Sequence, residues 1–444
     1  MFQDIELNTL IIVIGGAIIG HVLLLLFSRY FNPLSIIGAG FLLLAPLSAA
    51  DEIQGAVLIK YGRIYCSILV ILAGIFLLRG WRWGTAGIVL LTFITYYVMA
   101  GAYSDTPEAA LQFKGLLLFA VLAGVVLVGT FNSLTDVQFF LRMSAIGTGV
   151  FVYIIAGTLI ANPSKFFLFD RLQVLGINAN RIGLEVAAGF LMNFAVVMHD
   201  RSFRWRVYAG LTTALSLAAI LATGSRGAVG MILVGSLIIA APALRRPLLL
   251  GTVLVCGGLI LNFVLDAINP DAAKRLGEVN FETREGVWAQ ALAAWQESPI
   301  IGAGWLGRYT PGGRMSGVNL HSIFWQSLAE IGMLGFITLC LCLLLIVFLS
   351  LRMFKETLWV PRRERSYVYI GLAFVFCTLL HGVVESATLQ GATANGFILA
   401  LGVGLVDRLP SLYAAEPSLQ LTHEAAGDDL DDGQYGQAEP DAQL

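Results

Sequence analysis

Long apolar stretches alternate with short polar connections along almost the whole chain. The stretches from Ser144 to Ile160 and from Leu248 to Val264 contain no charged side chain. Each approaches the roughly 20 residues that an α-helix needs to cross a hydrocarbon layer about 30 Å thick. The pattern predicts about twelve or thirteen transmembrane helices, at 9–27, 32–49, 64–79, 84–100, 114–131, 143–160, 182–198, 207–223, 227–243, 248–265, 321–351, 367–386 and 392–407.

Runs of this length predict a helical bundle, because a membrane β-barrel would show short segments of alternating polarity. The composition agrees, since 57% of the residues are hydrophobic and only 13% are charged. We therefore predict an all-α, polytopic integral membrane domain over residues 1–408. The remaining residues, 409–444, include acidic side chains but no Lys or Arg. They are predicted to form a disordered cytoplasmic tail.

Basic residues are concentrated in four short connections, and Lys and Arg are enriched on the cytoplasmic side of membrane proteins. If the helices alternate in direction, these four connections share one side, which we predict to be cytoplasmic: 79–82, 201–206, 245–246 and 352–365. Four arginines then fall on the opposite side, where they are disfavoured: Arg171, Arg181, Arg226 and Arg284. Their placement there requires an explanation and is the first indication of function.

The longest polar connection, residues 266–320, is on that same non-cytoplasmic side and far exceeds the usual length of a loop. Within it Arg284, Trp288 and Trp295 recur at helical spacing. Two tryptophans on one face are typical of a helix that lies along the membrane interface. We expect this helix to end at Ser298, because Pro299 cannot continue it. The glycine-rich stretches that follow are predicted to be flexible turns.

Arg226 lies in a tight break between two predicted helices, in the segment from Gly224 to Gly227. Glycines let the backbone approach a ligand, and the guanidinium group matches phosphate oxygens. Arg181 begins a predicted helix, where a cation opposes the helix dipole unless an anion binds there. The alternative for these arginines is that they anchor helix ends at the interface without any ligand.

His321 is the histidine at the boundary of the long loop and is a candidate general base. The alternative is a boundary histidine that bonds lipid headgroups. Glu330 lies too deep in the next helix to reach His321, and we expect it to bond a polar group of a neighbouring helix. His381 and Glu385, inside an apolar run, are further candidates. We found no phosphate-binding loop, catalytic serine motif or metal-binding motif, which favours a reaction without metal or cofactor.

The order of these segments resembles the O-antigen ligase and O-antigen polymerase superfamily of bacterial polysaccharide assembly. The similarity covers roughly residues 178–350. It is carried by Gly224-Ser225-Arg226-Gly227, Thr283-Arg284-Glu285-Gly286-Val287-Trp288, Ser298-Pro299-Ile300-Ile301-Gly302-Ala303-Gly304, Asn319-Leu320-His321-Ser322 and Glu330-Ile331-Gly332.

The resemblance implies a metal-independent, inverting glycosyltransferase of the GT-C type in the bacterial inner membrane, with its active site facing the periplasm. Its donor would be a glycan on undecaprenyl diphosphate. By this resemblance His321 would deprotonate the acceptor hydroxyl, and Arg226 and Arg284 would bind the diphosphate. Arg181 and Arg171 would assist them, while Trp288 and Glu330 would support the site.

The acceptor distinguishes a ligase, which uses lipid A-core, from a polymerase, which uses a second lipid-linked glycan. We favour the ligase, because a polymerase that holds two anionic lipids is expected to carry more basic residues in the connection 161–181. A pilin-directed oligosaccharyltransferase is a third possibility within the superfamily. A transporter or flippase for lipid-linked sugars is the alternative from another class, although we detect no internal repeat of the kind common in transporters.

Overall fold

The computed structural model describes most of the membrane domain in one chain. The residues it describes are 32–47, 57–76, 83–161, 167–168, 171–174, 177–242, 282–310, 314–317, 320–361, 365–385 and 394–416.

The described residues are predominantly helical. The helices are α1 (Leu34–Leu47), α2 (Val57–Phe76), α3 (Thr85–Met99), α4 (Pro107–Gly129), α5 (Leu134–Ala161), α6 (Ala179–His199), α7 (Phe203–Thr223), α8 (Arg226–Ala240), α9 (Glu282–Glu297), α10 (Ile323–Glu356), α11 (Ser366–Val384) and α12 (Ala394–Ala414), with a 3₁₀ turn at Ala100–Tyr103.

Eight of the described helices are long and apolar enough to cross a membrane: α3 with its 3₁₀ turn, α4, α5, α6, α7, α10, α11 and α12. Three shorter apolar helices, α1, the part of α2 from Tyr61, and α8, match further predicted runs. The predicted spans 9–27 and 248–265 lie outside the described residues. The prediction of a polytopic helical membrane protein is confirmed, whereas the total of about twelve spans stays a prediction.

Two short antiparallel hairpins occur in the described connections and leave the helical fold class unchanged. Strands β1 (Phe167–Leu168) and β2 (Arg171–Leu172) pair between α5 and α6. Strands β3 (Gly307–Thr310) and β4 (Arg314–Gly317) pair between α9 and α10. Both hairpins lie in predicted non-helical connections, where backbone hydrogen-bond groups need partners once no helix supplies them.

The helices alternate in direction, so that every second connection lies at the same end of the bundle. At one end, Asp407 near the end of α12 accepts hydrogen bonds from the backbone of Ala86 and Gly87 at the start of α3. At the other end, Ala394 at the start of α12 donates to Glu185 near the start of α6. The described helix ends next to all four basic connections lie at the Asp407 end, as the alternation predicts.

Small residues let neighbouring helices approach closely in the interior. A Cβ atom added at Gly147 of α5 would lie 2.3 Å from the carbonyl oxygen of Ala39 in α1. At Gly124 of α4 it would lie 2.9 Å from the carbonyl oxygen of Phe397 in α12. Inside a membrane, where lipid tails are as apolar as leucine, such close packing is a main source of helix association.

Helix α10 is broken at Gly332, whose φ of 64° is in the left-handed region. The segment that follows α9 fills this break. The backbone N–H groups of Ala303 and Gly304 donate to the carbonyls of Ala329 and Glu330. In the other direction, the carbonyls of Pro299 and Ile300 accept from Met333 and Leu334. The break is therefore compatible with membrane depth, because the freed backbone groups find partners within the protein.

Candidate active site

His321 occupies a sharp turn directly before α10. Its φ of 53° is in the left-handed region, which a non-glycine residue rarely adopts. The next residue, Ser322, is the N-cap of α10, and its side-chain oxygen accepts a hydrogen bond from the backbone N–H of Phe324. The helix cap thus holds the chain on one side of His321.

The imidazole of His321 is bonded to the carboxylate of Glu385. Its Nδ1 atom lies 3.1 Å from Oε1 and 3.0 Å from Oε2 of Glu385. Glu385 follows the last residue of α11, and its backbone N–H donates to the carbonyl of His381 at 2.8 Å. Glu385 is therefore held at the end of α11, facing the start of α10.

Two further side chains reach the Glu385 carboxylate from other helices. The guanidinium of Arg284 in α9 lies 3.9 Å from Oε1, and the side-chain amide of Asn180 in α6 donates to Oε1 at 3.4 Å. The Glu385 side chain is 9% exposed, whereas those of Arg284 and His321 are 21% and 29% exposed. The carboxylate is therefore the most buried group of the site, and the basic side chains that contact it remain partly exposed to solvent.

Arg226 is the first residue of α8 and lies at this same end of the bundle. Gly224 follows the last residue of α7, and its left-handed φ of 58° allows the tight reversal between α7 and α8. This turn packs on α6, where a Cβ atom added at Gly183 would lie 2.7 Å from the Cβ of Ser225. The structure confirms that Arg226 sits at a tight helix break beside the start of α6.

Arg181 is the third residue of α6, and its predicted contact with an anionic ligand stays a prediction. It lies one residue after Asn180, where it is attracted by Glu185, one turn further along α6, and repelled by Arg63 of α2. Glu185 is 4% exposed and accepts the hydrogen bond from Ala394. A resident carboxylate therefore offsets part of the unfavourable charge of Arg181 at a helix start.

The remaining predicted residues are Arg171, Trp288 and Glu330. Arg171 belongs to β2, and its backbone pairs with Leu168. Trp288 donates its indole N–H to the carbonyl of Leu320 at 3.1 Å. Glu330 is buried and forms an ion pair with Lys114 at 2.9 Å, so its expected bond to a neighbouring helix is present.

Two expectations about the long loop change in detail. The face of α9 that carries Trp288 packs on α10, where its indole stacks on Trp325 and Ala291 is fully buried. The stretch from Gly302 to Trp305, predicted as a flexible turn, is packed, and an added Cβ at Gly304 would lie 2.6 Å from the Ser104 backbone. The other predicted turn, 311–313, lies outside the described residues.

Sequence reasoning noted Glu385 but did not place it among the site residues, and it missed Asn180 altogether. A carboxylate near the end of an apolar run was the only signal for Glu385. Its partner His321 is 64 positions away along the chain. No spacing rule relates residues on different helices, so the pair became visible only in three dimensions.

The arrangement is suited to proton abstraction next to an anion. A carboxylate can only accept hydrogen bonds, so its contact with Nδ1 assigns the hydrogen to Nδ1 and the basic lone pair to Nε2. The carboxylate also stabilises the imidazolium formed when Nε2 takes a proton. In the described part of the chain, no group of three or more His, Cys, Asp or Glu side chains could hold a metal ion.

One family model matches the chain. Residues 211–340 match the family described as O-antigen ligase, a segment that runs from within α7 into α10 and includes Arg226, Arg284 and His321. Arg181 and Glu385 lie outside the match. No curated protein matches the chain. The match at residues 211–340 covers less than a third of the chain, and over that segment the chain is similar to the O-antigen ligase family.

Proposed function

We propose that the chain is an O-antigen ligase that transfers a glycan from undecaprenyl diphosphate to a lipid A-core acceptor at the periplasmic face of the inner membrane. The family match supports ligase or polymerase activity. The observation that carries the finer proposal is the contact of His321 with Glu385, beside Arg284, at an end of the bundle that the prediction assigns to the periplasm.

In the proposed reaction, the acceptor hydroxyl attacks the anomeric carbon of the donor sugar. The bond between that carbon and the diphosphate oxygen breaks, and the electron pair leaves with the diphosphate. His321 takes the hydroxyl proton on Nε2 while Nδ1 remains bonded to Glu385. One bond forms and one breaks on opposite faces of the carbon, so the configuration inverts.

Arg226 and Arg284 are proposed to bind the diphosphate. Both are arginines at the end of the bundle where His321 lies, and a guanidinium group matches phosphate oxygens in pairs. Their charge would stabilise the negative charge that develops on the leaving group, a term worth about 3–4 kcal/mol per donor in a preorganised site. No metal is required for this charge neutralisation. Arg181 and Arg171 remain proposed assistants.

The experiment that tests the proposal is transfer by the purified protein in detergent, with a lipid-linked glycan and lipid A-core and without an ion gradient. We expect the parent to form the joined product. The His321→Ala variant should lose at least about a hundredfold in rate, as for the removal of a general base, while it still binds the donor. Full activity of this variant would end the general-base assignment.

His199→Ala is the matched control, since His199 lies at the opposite end of the bundle and bonds the Ile239 carbonyl. It should retain the parent's rate per folded molecule. A parent that moves lipid-linked sugars across vesicles but joins none would favour the transporter alternative. A parent that joins only lipid-linked glycans to each other would be a polymerase.

The same assay separates binding from chemistry at Arg284. A lysine keeps the charge but loses the planar fork, so Arg284→Lys should weaken donor binding by about tenfold or more. Arg352→Lys, at an exposed position near the far end of α10, is the control and should bind the donor as the parent does. Equal affinities of the two variants would mean that Arg284 does not bind the diphosphate.

A further inference from the structure

The residue before His321 is held by two side chains from different helices. The backbone N–H of Leu320 donates to the side-chain oxygen of Gln326 at 3.3 Å. The carbonyl of Leu320 accepts from the indole N–H of Trp288 at 3.1 Å. This carbonyl belongs to the peptide that joins Leu320 to His321, and the orientation of that peptide plane determines φ of His321.

The Gln326 amide is itself anchored in a buried polar cluster. Its Nε2 donates to Oε1 of Glu330. The other carboxylate oxygen of Glu330 accepts from the hydroxyl of Tyr97 at 2.6 Å and lies 2.9 Å from the ammonium of Lys114. The side chains of Lys114 and Glu330 are both fully buried. The hydrogen bond from Leu320 to Gln326 of α10 is therefore connected, through Glu330, to side chains of α3 and α4.

The cluster also holds the loop that precedes the His321 turn. The backbone N–H of Leu306 donates to Oε1 of Glu330 at 3.3 Å, and Gly304 donates to its main-chain carbonyl. A fully buried charge pair is costly unless every remaining donor and acceptor is used. Here four groups contact the Glu330 carboxylate: the side chains of Gln326, Tyr97 and Lys114 and the backbone N–H of Leu306.

Trp288 connects the same turn to the second half of the site. It is one helical turn after Arg284 on α9, and its ring stacks on Trp325 of α10 with centroids 6.2 Å apart. The indole N–H thus joins the helix that carries Arg284 to the turn that carries His321. This one hydrogen bond therefore connects the element of the proposed diphosphate-binding residue, Arg284, with that of the proposed proton acceptor, His321.

We propose that Trp288 and Gln326 are positioning residues, which hold Leu320 from both sides and so keep His321 in its left-handed conformation against Glu385. The proposal rests on the proposed function for its catalytic consequence. A left-handed φ at a non-glycine residue persists only where the surroundings enforce it. On the far side of His321 the Ser322 cap supplies that support, and on the near side these two side chains supply it.

The test is Trp288→Phe, which removes the indole N–H and keeps an aromatic ring to stack on Trp325. A displaced general base slows the chemical step, so kcat should fall by about tenfold to a hundredfold while KM for the lipid donor stays within about twofold. Gln326→Met, which removes the hydrogen bond to the backbone N–H of Leu320, should likewise lower kcat and leave KM nearly unchanged. The double variant should fall little below the weaker single variant, since both act through Leu320.

Trp295→Phe is the matched control. Trp295 is on the same helix, and its indole N–H also donates to a carbonyl, but to that of Pro299 at 3.0 Å rather than to that of Leu320 beside His321. It should keep the parent's kcat. The proposal is overturned if Trp288→Phe keeps kcat as well, or if both Trp288→Phe and Gln326→Met raise KM instead.

A second measurement needs no transfer activity and so separates this inference from the proposed function. Diethyl pyrocarbonate modifies accessible imidazoles, and peptide mass spectrometry gives the rate at His321. We expect Trp288→Phe to change this rate severalfold and Trp295→Phe to leave it unchanged. Equal rates in the two variants would refute the positioning role, whereas an inactive parent with unequal rates would refute only the proposed reaction.

Discussion

The contact between His321 and Glu385 combines two side chains that individually have ordinary structural explanations. A boundary histidine can bond lipid headgroups, and a carboxylate in an apolar run can bond a neighbouring helix. Their pairing at 3.0 Å, with Arg284 at 3.9 Å from the same carboxylate, is a more specific arrangement. The carboxylate sets the tautomer of the imidazole, which is the property that a general base requires.

Glu385→Gln tests this role at the residue scale. The glutamine has nearly the same shape, but it carries no charge to stabilise an imidazolium and can present an N–H to Nδ1, which would favour the wrong tautomer. We expect kcat to fall by about a hundredfold or more in the transfer assay, with little change in thermal stability in detergent. A glutamine variant with parental kcat would show that Glu385 only holds helices together.

At the element scale, the break in α10 explains why two motifs that lie far apart along the chain occur together. These motifs are the segments from Ser298 to Gly304 and from Glu330 to Gly332. Glycine at 332 adopts a left-handed φ, and the segment from Pro299 to Gly304 bonds the backbone on both sides of the break. The two motifs are therefore one structural unit, a loop inserted into a helix break. That unit is hydrogen-bonded to Glu330, through the backbone N–H of Gly304.

Gly332→Ala tests the importance of this break. An added Cβ would lie 2.4 Å from the carbonyl oxygen of Ile300, at a φ of 64° that side chains disfavour. Left-handed backbone alone costs about 1–2 kcal/mol, and the contact with backbone adds to it. We expect unfolding in detergent to occur at clearly lower temperature, together with loss of transfer.

Gly157→Ala provides the comparison for that variant. Gly157 lies within α5, and an added Cβ there meets no atom within 4 Å. Alanine is the better helix former by about 1 kcal/mol, so this variant should be as stable as the parent or slightly more stable. If both alanine variants unfolded at the same temperature, the packed break in α10 would contribute nothing to stability.

At the scale of the whole molecule, alternation of the helices collects all the site residues at one end. Glu385 follows the end of α11, His321 precedes the start of α10, and Asn180 and Arg226 lie at the starts of α6 and α8. The described ends of the helices next to the basic connections lie at the opposite end. This distribution agrees with the enrichment of Lys and Arg on the cytoplasmic side, which would place the site at the periplasm.

Cysteine labelling in intact cells tests that orientation. Arg204→Cys and Gln296→Cys, each in a background without the native cysteines, place one exposed thiol at either end of the bundle. A membrane-impermeant maleimide in the periplasm should label Gln296→Cys and leave Arg204→Cys unlabelled until the inner membrane is opened. The reverse pattern would place the site in the cytoplasm and contradict the proposed periplasmic reaction.

The sequence by itself determined the class of the protein and the places of its helices. Lipid must be the solvent for runs as apolar as 143–160, and α-helices are the elements that such runs form in lipid. The predicted apolar runs overlap the described helices α1 to α8 and α10 to α12, and Pro299 marks the end of α9 closely. These properties are local, because they depend on hydrophobicity and on backbone chemistry within a few residues.

Only the tertiary structure decided which polar groups meet. His321 and Glu385, like Lys114 and Glu330, lie on different helices, and nothing in their spacing relates them. The structure also showed that Arg181 lies beside Glu185, that the glycine stretch at 302–305 is packed, and that α10 is broken. A long-range contact depends on how helices are rotated and paired, and that is set by the packing of the whole bundle rather than by any one segment.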